Sequence, residues 1–285
     1  MIFHKYHGLG NDYILIDPAE SGIEALTADQ IRRICHRHYG VGSDGILLGP
    51  LPGKTSGFSL RIFNPDGSEA EKSGNGLRIF SRYLWDRCLV GTEPFTIRTP
   101  GGTVSSQVQE GGRMITVEMG RVGFYSPDIP VAGPAREVIN ESIAVKGEVL
   151  TFCAATIGNP HCVIQRAKAL PDEARRLGPA IETDPMFPNK INVQFMEVLD
   201  RANIRLEIWE RGAGYTLASG SSSAAAGAVA RRLGLCDGRI TVHMPGGTIR
   251  LVIADDYAVT LCGPAVKICE GRLAAEMFLE EEFDG

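Results

Sequence analysis

The chain has 285 residues, of which 44% are hydrophobic and 22% are charged, proportions typical of a soluble globular protein. Its formal net charge of -5 and its lack of a basic cluster argue against a surface that binds nucleic acid. No apolar run long enough to span a membrane and no signal-peptide core is visible, so a cytoplasmic protein is expected. Its seven cysteines are scattered, which predicts neither a disulfide framework nor a zinc site.

Short apolar runs separated by glycine and proline predict a β-rich α+β protein. In chain order, strands are predicted near residues 14–16, 46–48, 60–63, 95–97, 163–164, 191–198, 204–209, 240–242, 249–253 and 259–261. Two short surface helices are predicted over residues 27–38 and 171–177.

Two further helices are expected to be the central, buried helices of their domains. The first follows Gly76, because Leu77, Phe80 and Leu84 recur at helical spacing. The second covers residues 224–233, and the serines at 221–223 before it are good N-cap residues. This second helix is rich in alanine and glycine, so it can pack closely against its neighbours.

A set of short motifs occurs twice, in the same order and at nearly the same spacing. Each copy has a Gly-Asn pair, a Ser-Gly pair 62 or 60 residues after that asparagine, and a Pro-Gly-Gly turn 27 or 26 residues after the serine. The motifs lie at Asn11, Ser73 and Pro100 in the first copy, and at Asn159, Ser219 and Pro245 in the second. We therefore expect two domains, residues 1–122 and 123–268, with residues 269–285 packing back on the first.

The Ser-Gly pairs precede the two central helices, and this position suggests a binding site. A helix N-terminus presents N–H groups without acceptors in the helix and carries a partial positive charge, which suits an anion. We expect the two helix ends to meet across an interdomain crevice and to hold one carboxylate. Glu210 and Arg211 could then grip an ammonium and a carboxylate of an amino-acid ligand.

Several long motifs are similar to those of the diaminopimelate epimerases. They are HGLGNDY (7–13), FNPDGSEAEKSGNGLRIFSRYL (63–84), GNPHCV (158–163), INV (191–193) and WERGAGYTLASGSSSAAA (209–226). The resemblance implies two pseudo-symmetric domains, each a β-barrel-like sheet around a central helix. It also implies an epimerase or racemase that needs no pyridoxal phosphate, metal or other cofactor and acts on a small amino-acid substrate. A homodimer is expected from this resemblance alone.

The resemblance further implies a role for individual residues. Ser73 and Ser219 occupy the positions of two catalytic bases, one for each face of the α-carbon, and His161 matches a histidine near them. The activity implied is the interconversion of LL- and meso-diaminopimelate in lysine and peptidoglycan synthesis. Positions matching substrate contacts are Asn11, Asn64, Asn159, Asn192, Glu210 and Arg211, and those matching helix-end contacts to the α-carboxylate are Gly74, Asn75, Gly220 and Ser221.

The chain departs from the family pattern in three places. The family has cysteine at both base positions, where this chain has Ser73 and Ser219. Tyr215 replaces a glutamate, and after the second base this chain has Gly220 followed by the serines at 221–223, where the family usually has Gly-Thr-Gly or Gly-Ser-Gly. Because the neighbours of Ser219 also differ, a natural subgroup explains the pattern better than an engineered pair of cysteine-to-serine changes.

A serine hydroxyl is almost never ionised near neutral pH and needs a neighbouring base, so three functions stay open. His161, Asp66 or Glu69 could activate the serines for epimerisation. Alternatively Lys72 could be a single base in a divergent racemase, isomerase or dehydratase, provided that burial lowers its pKa. The third possibility is an amino-acid-binding homologue without turnover. A serine hydrolase is disfavoured, since neither serine lies in a GxSxG motif.

Overall fold

A computed structural model describes residues 1–51 and 57–278 of the chain. The chain forms two compact units. Unit 1 contains Met1–Gly8, Asp12–Ile115 and the chain from Ala265 onward, and unit 2 contains Leu9–Asn11 and Thr116–Pro264. The domain boundaries expected at residues 122 and 268 stay a prediction, and residues 279–285 of the expected tail lie outside the described residues.

The first half of the chain alternates short strands with three helices. The strands are β1 (Ile2–Gly8), β2 (Asn11–Ile16), β3 (Ile46–Leu51), β4 (Phe58–Phe63), β5 (Glu69–Ala70), β6 (Phe95–Thr99) and β7 (Gly102–Gln109). The helices are α1 (Pro18–Ser21), α2 (Ala28–Cys35) and α3 (Gly74–Asp86), and a 3₁₀ turn covers Glu110–Gly112.

The second half continues in the same manner. Its strands are β8 (Met114–Arg121), β9 (Glu141–Val145), β10 (Glu148–Thr156), β11 (Pro160–Gln165), β12 (Asn192–Asp200), β13 (Asn203–Glu210), β14 (Gly214–Thr216), β15 (Arg239–Met244), β16 (Gly247–Ile253), β17 (Ala258–Pro264) and β18 (Val266–Arg272). Its helices are α4 (Pro171–Glu182) and α5 (Gly220–Arg232), and a 3₁₀ turn covers Ala275–Phe278. Together these elements confirm the expected α+β class.

The two units repeat one pattern of strand pairing. In unit 1 the order is β18-β1-β2-β3-β4-β6-β7, and in unit 2 it is β9-β10-β11-β12-β13-β15-β16. The parallel pairs β2–β3 and β11–β12 are connected through α2 and α4, respectively. The parallel pairs β4–β6 and β13–β15 are connected through α3 and α5. The duplication seen in the sequence motifs is therefore a duplication of topology as well.

Strand β18 pairs with the first strand of the chain. It runs antiparallel to β1, with Ile2 opposite Arg272 and His7 opposite Val266. The sheet of unit 1 thus joins the beginning of the sequence to residues more than 250 positions later.

Each central helix is buried along most of its length, but both begin earlier than the apolar pattern predicts. Leu77, Phe80 and Leu84 of α3 are fully buried, as are Ala224–Ala226 and Ala228 of α5. The N-cap of α5 is Ser219, so the expectation of a cap within residues 221–223 is wrong. The reason is local: Ser219 has extended backbone angles and its Oγ accepts the Ser222 N–H, which starts the helix at Gly220.

The two surface helices differ from expectation mainly in length. Helix α2 begins after Thr27, which forms a reciprocal capping box with Gln30, and it ends at Cys35 rather than His38. Helix α4 continues to Glu182, five residues past the predicted end. Among the described residues, no helix is long and apolar enough to cross a membrane.

Candidate active site

The N-terminus of α3 is organised around Ser73. This residue is the N-cap of the helix, with φ -139° and ψ 120°, and its Oγ accepts the Gly76 N–H at 3.0 Å. The hydroxyl of Tyr13 lies 3.2 Å from the same Oγ. Gly76 leaves room for this cap, because a Cβ there would lie only 3.1 Å from Leu47 Cδ2 and 3.3 Å from Ser73 Oγ.

The N-terminus of α5 has the same construction around Ser219. This N-cap has φ -145° and ψ 127°, and its Oγ accepts the Ser222 N–H at 3.3 Å. Ser221 Oγ lies 3.5 Å from Ser219 Oγ. Each of the two serines predicted to be bases therefore caps a 13-residue helix, and its Oγ accepts the backbone N–H of the residue three positions later. Each one also lies where the helix dipole favours negative charge.

A buried arginine that was not predicted from the sequence supports the first helix end. Arg78 is fully buried and donates from Nη2 to Asn75 Oδ1 at 2.7 Å and from Nη1 to Gly74 O at 3.4 Å. Its guanidinium adds positive charge to the first turn of α3 and orients the Asn75 amide. An arginine between Leu77 and Ile79, two residues at the start of the apolar helical pattern, was the available signal.

His161 is fully buried in unit 2, and burial lowers its pKa to about 3, with the positive charge of Arg211 adding to the effect. The ring is therefore neutral at neutral pH. Its Nε2 lies 3.0 Å from Asn159 Oδ1, and its Nδ1 lies 3.2 Å from Gln194 Nε2. These contacts fit a neutral ring that donates from Nε2 and accepts at Nδ1.

Two amides link this histidine to the start of α5. Gln194 Nε2, also fully buried, donates to Ser222 Oγ at 3.0 Å. Asn159 Nδ2 donates to Ser221 Oγ at 3.4 Å. His161 is thus joined to the neighbours of Ser219 rather than bonded to Ser219 itself. Gln194 was not predicted, because only the fold brings β12 beside β11 and α5.

Asn192 stabilises the turn that carries the predicted Glu210-Arg211 pair. Its Nδ2 donates to Pro160 O at 2.8 Å, and its Oδ1 accepts the Arg211 N–H at 3.0 Å. The Arg211 side chain is exposed and donates to Asn189 O at 3.1 Å. Glu210 is half-buried at the end of β13. The peptide after Arg211 is held from the other side by Glu182, whose Oε1 accepts the Gly212 N–H at 3.0 Å.

The β4–β5 turn holds the other polar residues predicted for the first domain. Asn64 is exposed there, and its Nδ2 donates to Ser68 Oγ at 3.0 Å. Asp66 accepts from the Ser68 hydroxyl, and Glu69 pairs with Arg61 at 2.8 Å. The bonds from Ser68 lower the pKa of Asp66, and those from Arg61 lower the pKa of Glu69. Both carboxylates are therefore ionised and bonded to these neighbours.

The remaining predicted residues have distinct environments. Lys72 is half-buried, and burial lowers the pKa of its amine. Asn11 is buried at the start of β2. Tyr215 donates to Glu207 Oε2 at 2.5 Å, and the Arg175 guanidinium lies 3.8 Å from its ring centroid. Within residues 1–51 and 57–278, no three His, Cys, Asp or Glu side chains are placed to hold a metal ion.

Solved structures with little sequence identity share the fold. A hydroxyproline epimerase from Agrobacterium vitis superposes with a TM-score of 0.70 at 16% identity, covering 96% of this chain and 92% of that one. A PhzF-family phenazine biosynthesis protein from Bacillus anthracis gives a TM-score of 0.69 at 18% identity, covering 96% and 99%. These similarities confirm the expected fold.

The family follows from the sequence comparisons. A protein called diaminopimelate epimerase 2 from Nostoc sp. (strain PCC 7120) is 58% identical over 281 residues, which cover 99% of this chain and 98% of that protein. A diaminopimelate epimerase from Cyanothece sp. (strain PCC 7425) is 40% identical, with coverage of 95% and 99%. The diaminopimelate epimerase family model matches residues 3–125 and 153–268. The chain therefore belongs to the diaminopimelate epimerase family.

Proposed function

We propose that this protein is a cofactor-independent epimerase that interconverts LL- and meso-diaminopimelate. The observation that carries the proposal is the repeated serine cap. Ser73 and Ser219 begin α3 and α5, and these helices occupy the same place in two units with one strand order. In the proposed reaction one serine removes the α-proton and the other returns a proton to the opposite face. The 58% identical relative supports diaminopimelate as the substrate.

The ligand-binding groups that we propose follow from charge and hydrogen bonding. The N–H groups at the starts of α3 and α5 bind the α-carboxylate, since helix N-termini favour anions. Glu210 binds an ammonium group, and Arg211 binds a carboxylate. Negative charge that develops beside the carboxylate after proton removal is stabilised by the same helix ends.

The experiment is α-proton exchange in D2O, followed by NMR with LL- and meso-diaminopimelate and a panel of L-amino acids. Exchange accompanied by interconversion of the two diaminopimelate isomers is the expected result. No interconversion and no exchange, together with calorimetric binding of diaminopimelate, would leave an amino-acid-binding protein and refute the enzyme assignment. The homodimer also stays a prediction, and analytical ultracentrifugation measures it directly.

A one-base reaction on an amino-acid-like substrate is the second candidate. It is favoured by the lowered pKa of Lys72, because a partly buried amine that loses its proton more easily can act as a base. The same NMR experiment separates the two candidates. A one-base enzyme exchanges or eliminates without inversion, and Lys72→Met abolishes that exchange.

A further inference from the structure

The two serines have different polar surroundings, although their backbones match. Beside Ser73 Oγ lie the Gly76 N–H at 3.0 Å and the Tyr13 hydroxyl at 3.2 Å. Of these two neighbours, only the phenol can lose a proton and become an anion. Tyr13 is itself 8% exposed, so its hydroxyl is held near Ser73 in a largely dry environment.

The corresponding position beside Ser219 is occupied by groups that do not titrate in water. Ser219 Oγ lies 3.3 Å from the Ser222 N–H and 3.5 Å from Ser221 Oγ. Ser221 Oγ in turn accepts from the Asn159 amide at 3.4 Å. His161 lies beyond that amide, which separates the imidazole from the hydroxyls. Within residues 1–51 and 57–278, the Ser73 end alone has a titratable group bonded directly to the capping serine.

We propose that Tyr13 is the proton-relay partner of Ser73, an inference that rests on the proposed epimerase function. Ser73 Oγ takes the α-proton of the substrate while the Tyr13 phenolate takes the original Ser73 hydroxyl proton. The electron pair of the broken C–H bond stays on the α-carbon. Tyr13 ends as a phenol and Ser73 remains a hydroxyl, so charge and protons balance. The reverse transfer delivers a proton to the carbanion. Tyr13 acts through Ser73 and is a positioning residue.

The charged residues that flank this pair along the chain are Asp12 on β2, Lys72 before α3 and Asp44 beside Gly45, where a Cβ would lie 2.6 Å from Tyr13 Cε1. Along β2, side chains alternate between the two faces of the strand, so Asp12 projects to the face opposite Tyr13. Asp12 is paired there with Lys5 at 2.9 Å and with Arg37 at 2.8 Å. Lys72 directly precedes Ser73, and burial lowers the pKa of its amine.

The first test compares Tyr13→Phe with Tyr83→Phe in the full-length protein. Tyr83 is a matched control, because its buried hydroxyl is in the same unit and donates to Asp17 at 2.7 Å. We expect Tyr13→Phe to lower epimerisation roughly 10²- to 10⁴-fold in both directions, the usual contribution of general acid–base catalysis. Tyr83→Phe should stay within about threefold of the parent, since only a contact remote from Ser73 is lost. The parent rate should also rise with pH as the phenol loses its proton, and this rise should be absent from Tyr13→Phe.

The second test asks whether a thiol makes the phenol unnecessary. In a Ser73→Cys background, Tyr13→Phe should change the rate less than about threefold, because a thiol with a pKa near 8.5 ionises without help. In a Ser219→Cys background, Tyr13→Phe should retain its full effect. Equal losses in both backgrounds would show a structural role and overturn the relay. If the parent is active and the Tyr13→Phe variant is equally fast, the relay is also overturned. No exchange in the parent with either isomer would overturn the proposed function and the relay together.

Discussion

Replacing both capping serines by cysteine should raise epimerase activity while lowering stability. At pH 7.5 a thiol with a pKa near 8.5 is about one-tenth ionised. The pKa of a serine hydroxyl lies far above that of a thiol, so almost none of it is ionised at this pH. The helix N-termini at residues 73 and 219 favour the thiolate further. General acid–base catalysis usually contributes about 10²- to 10⁴-fold to a rate. A small part of the difference in ionisation between thiol and hydroxyl is enough for such a contribution, so we expect the double variant to epimerise at least about 100-fold faster.

The loss of stability has a separate cause. The Gly76 N–H lies 3.0 Å from Ser73 Oγ, a distance that suits oxygen but is too short for the larger, weaker acceptor sulfur. Each replacement should therefore cost about 0.5–2 kcal/mol of unfolding free energy, the usual value of a lost N-cap. The Ser222 N–H bond to Ser219 is already 3.3 Å long, so the second replacement should cost less than the first.

Two measurements decide the matter for Ser73→Cys plus Ser219→Cys. Interconversion of LL- and meso-diaminopimelate by NMR gives the rate, and urea unfolding gives the stability. Ser81→Cys is a control outside the helix ends, since Ser81 lies mid-helix and bonds to Leu77 O. A double variant that folds yet is no faster than the parent would refute the reasoning. The pocket would then have diverged beyond the two bases.

Two further predictions concern buried residues of unit 2. The folded-state pKa of His161 is about 3 and the unfolded value about 6.5, so the unfolded chain alone binds this proton between those values. The free energy of unfolding should therefore fall by up to about 1.4 kcal/mol per pH unit as the pH drops from 6.5 toward 3. Urea unfolding at several pH values should show a weaker dependence of this free energy on pH for His161→Gln. An unchanged pH dependence would refute a neutral buried ring. Gly178→Ala should cost about 1–3 kcal/mol in the same assay, because the new Cβ would lie 2.5 Å from Trp209 Cγ. Gly91→Ala, where nothing lies within 4 Å, should be close to neutral, and equal effects at both sites would contradict this packing argument.

The repeated local motifs made much of the fold predictable. Short apolar runs indicated ten strands, helical spacing and composition indicated both central helices, and the repeated motifs indicated the duplication, because all of these are local properties of the sequence. The N-cap of α5 was misplaced because several serines follow one another, and only the backbone angles distinguish Ser219 from its neighbours. Strand β18 was missed since most of its residues are exposed and Lys267 and Glu270 interrupt its apolar pattern.

The environment of the site was less predictable than its members. Tyr13 and Ser73 are 60 positions apart, and His161 and Gln194 are 33 apart, so only the folded sheet brings each pair together. Sequence proximity suggested Glu69 as a partner for Ser73, whereas the β4–β5 turn directs that carboxylate to Arg61. Closeness in the sequence was therefore a poorer guide to hydrogen-bond partners than the pairing of strands.

The pairing of β1 with β18 has a consequence for biosynthesis. Almost all of unit 2 is encoded in one continuous stretch, residues 116–264, whereas the sheet of unit 1 takes strands from both sides of that stretch. The sheet of unit 1 cannot close until residues 266–272 emerge, although its other strands are made first. Until then β1 is an open edge strand, a known hazard for intermolecular association. A chain that ends before β18 should therefore expose the unpaired edge of β1, and we expect it to associate through that edge.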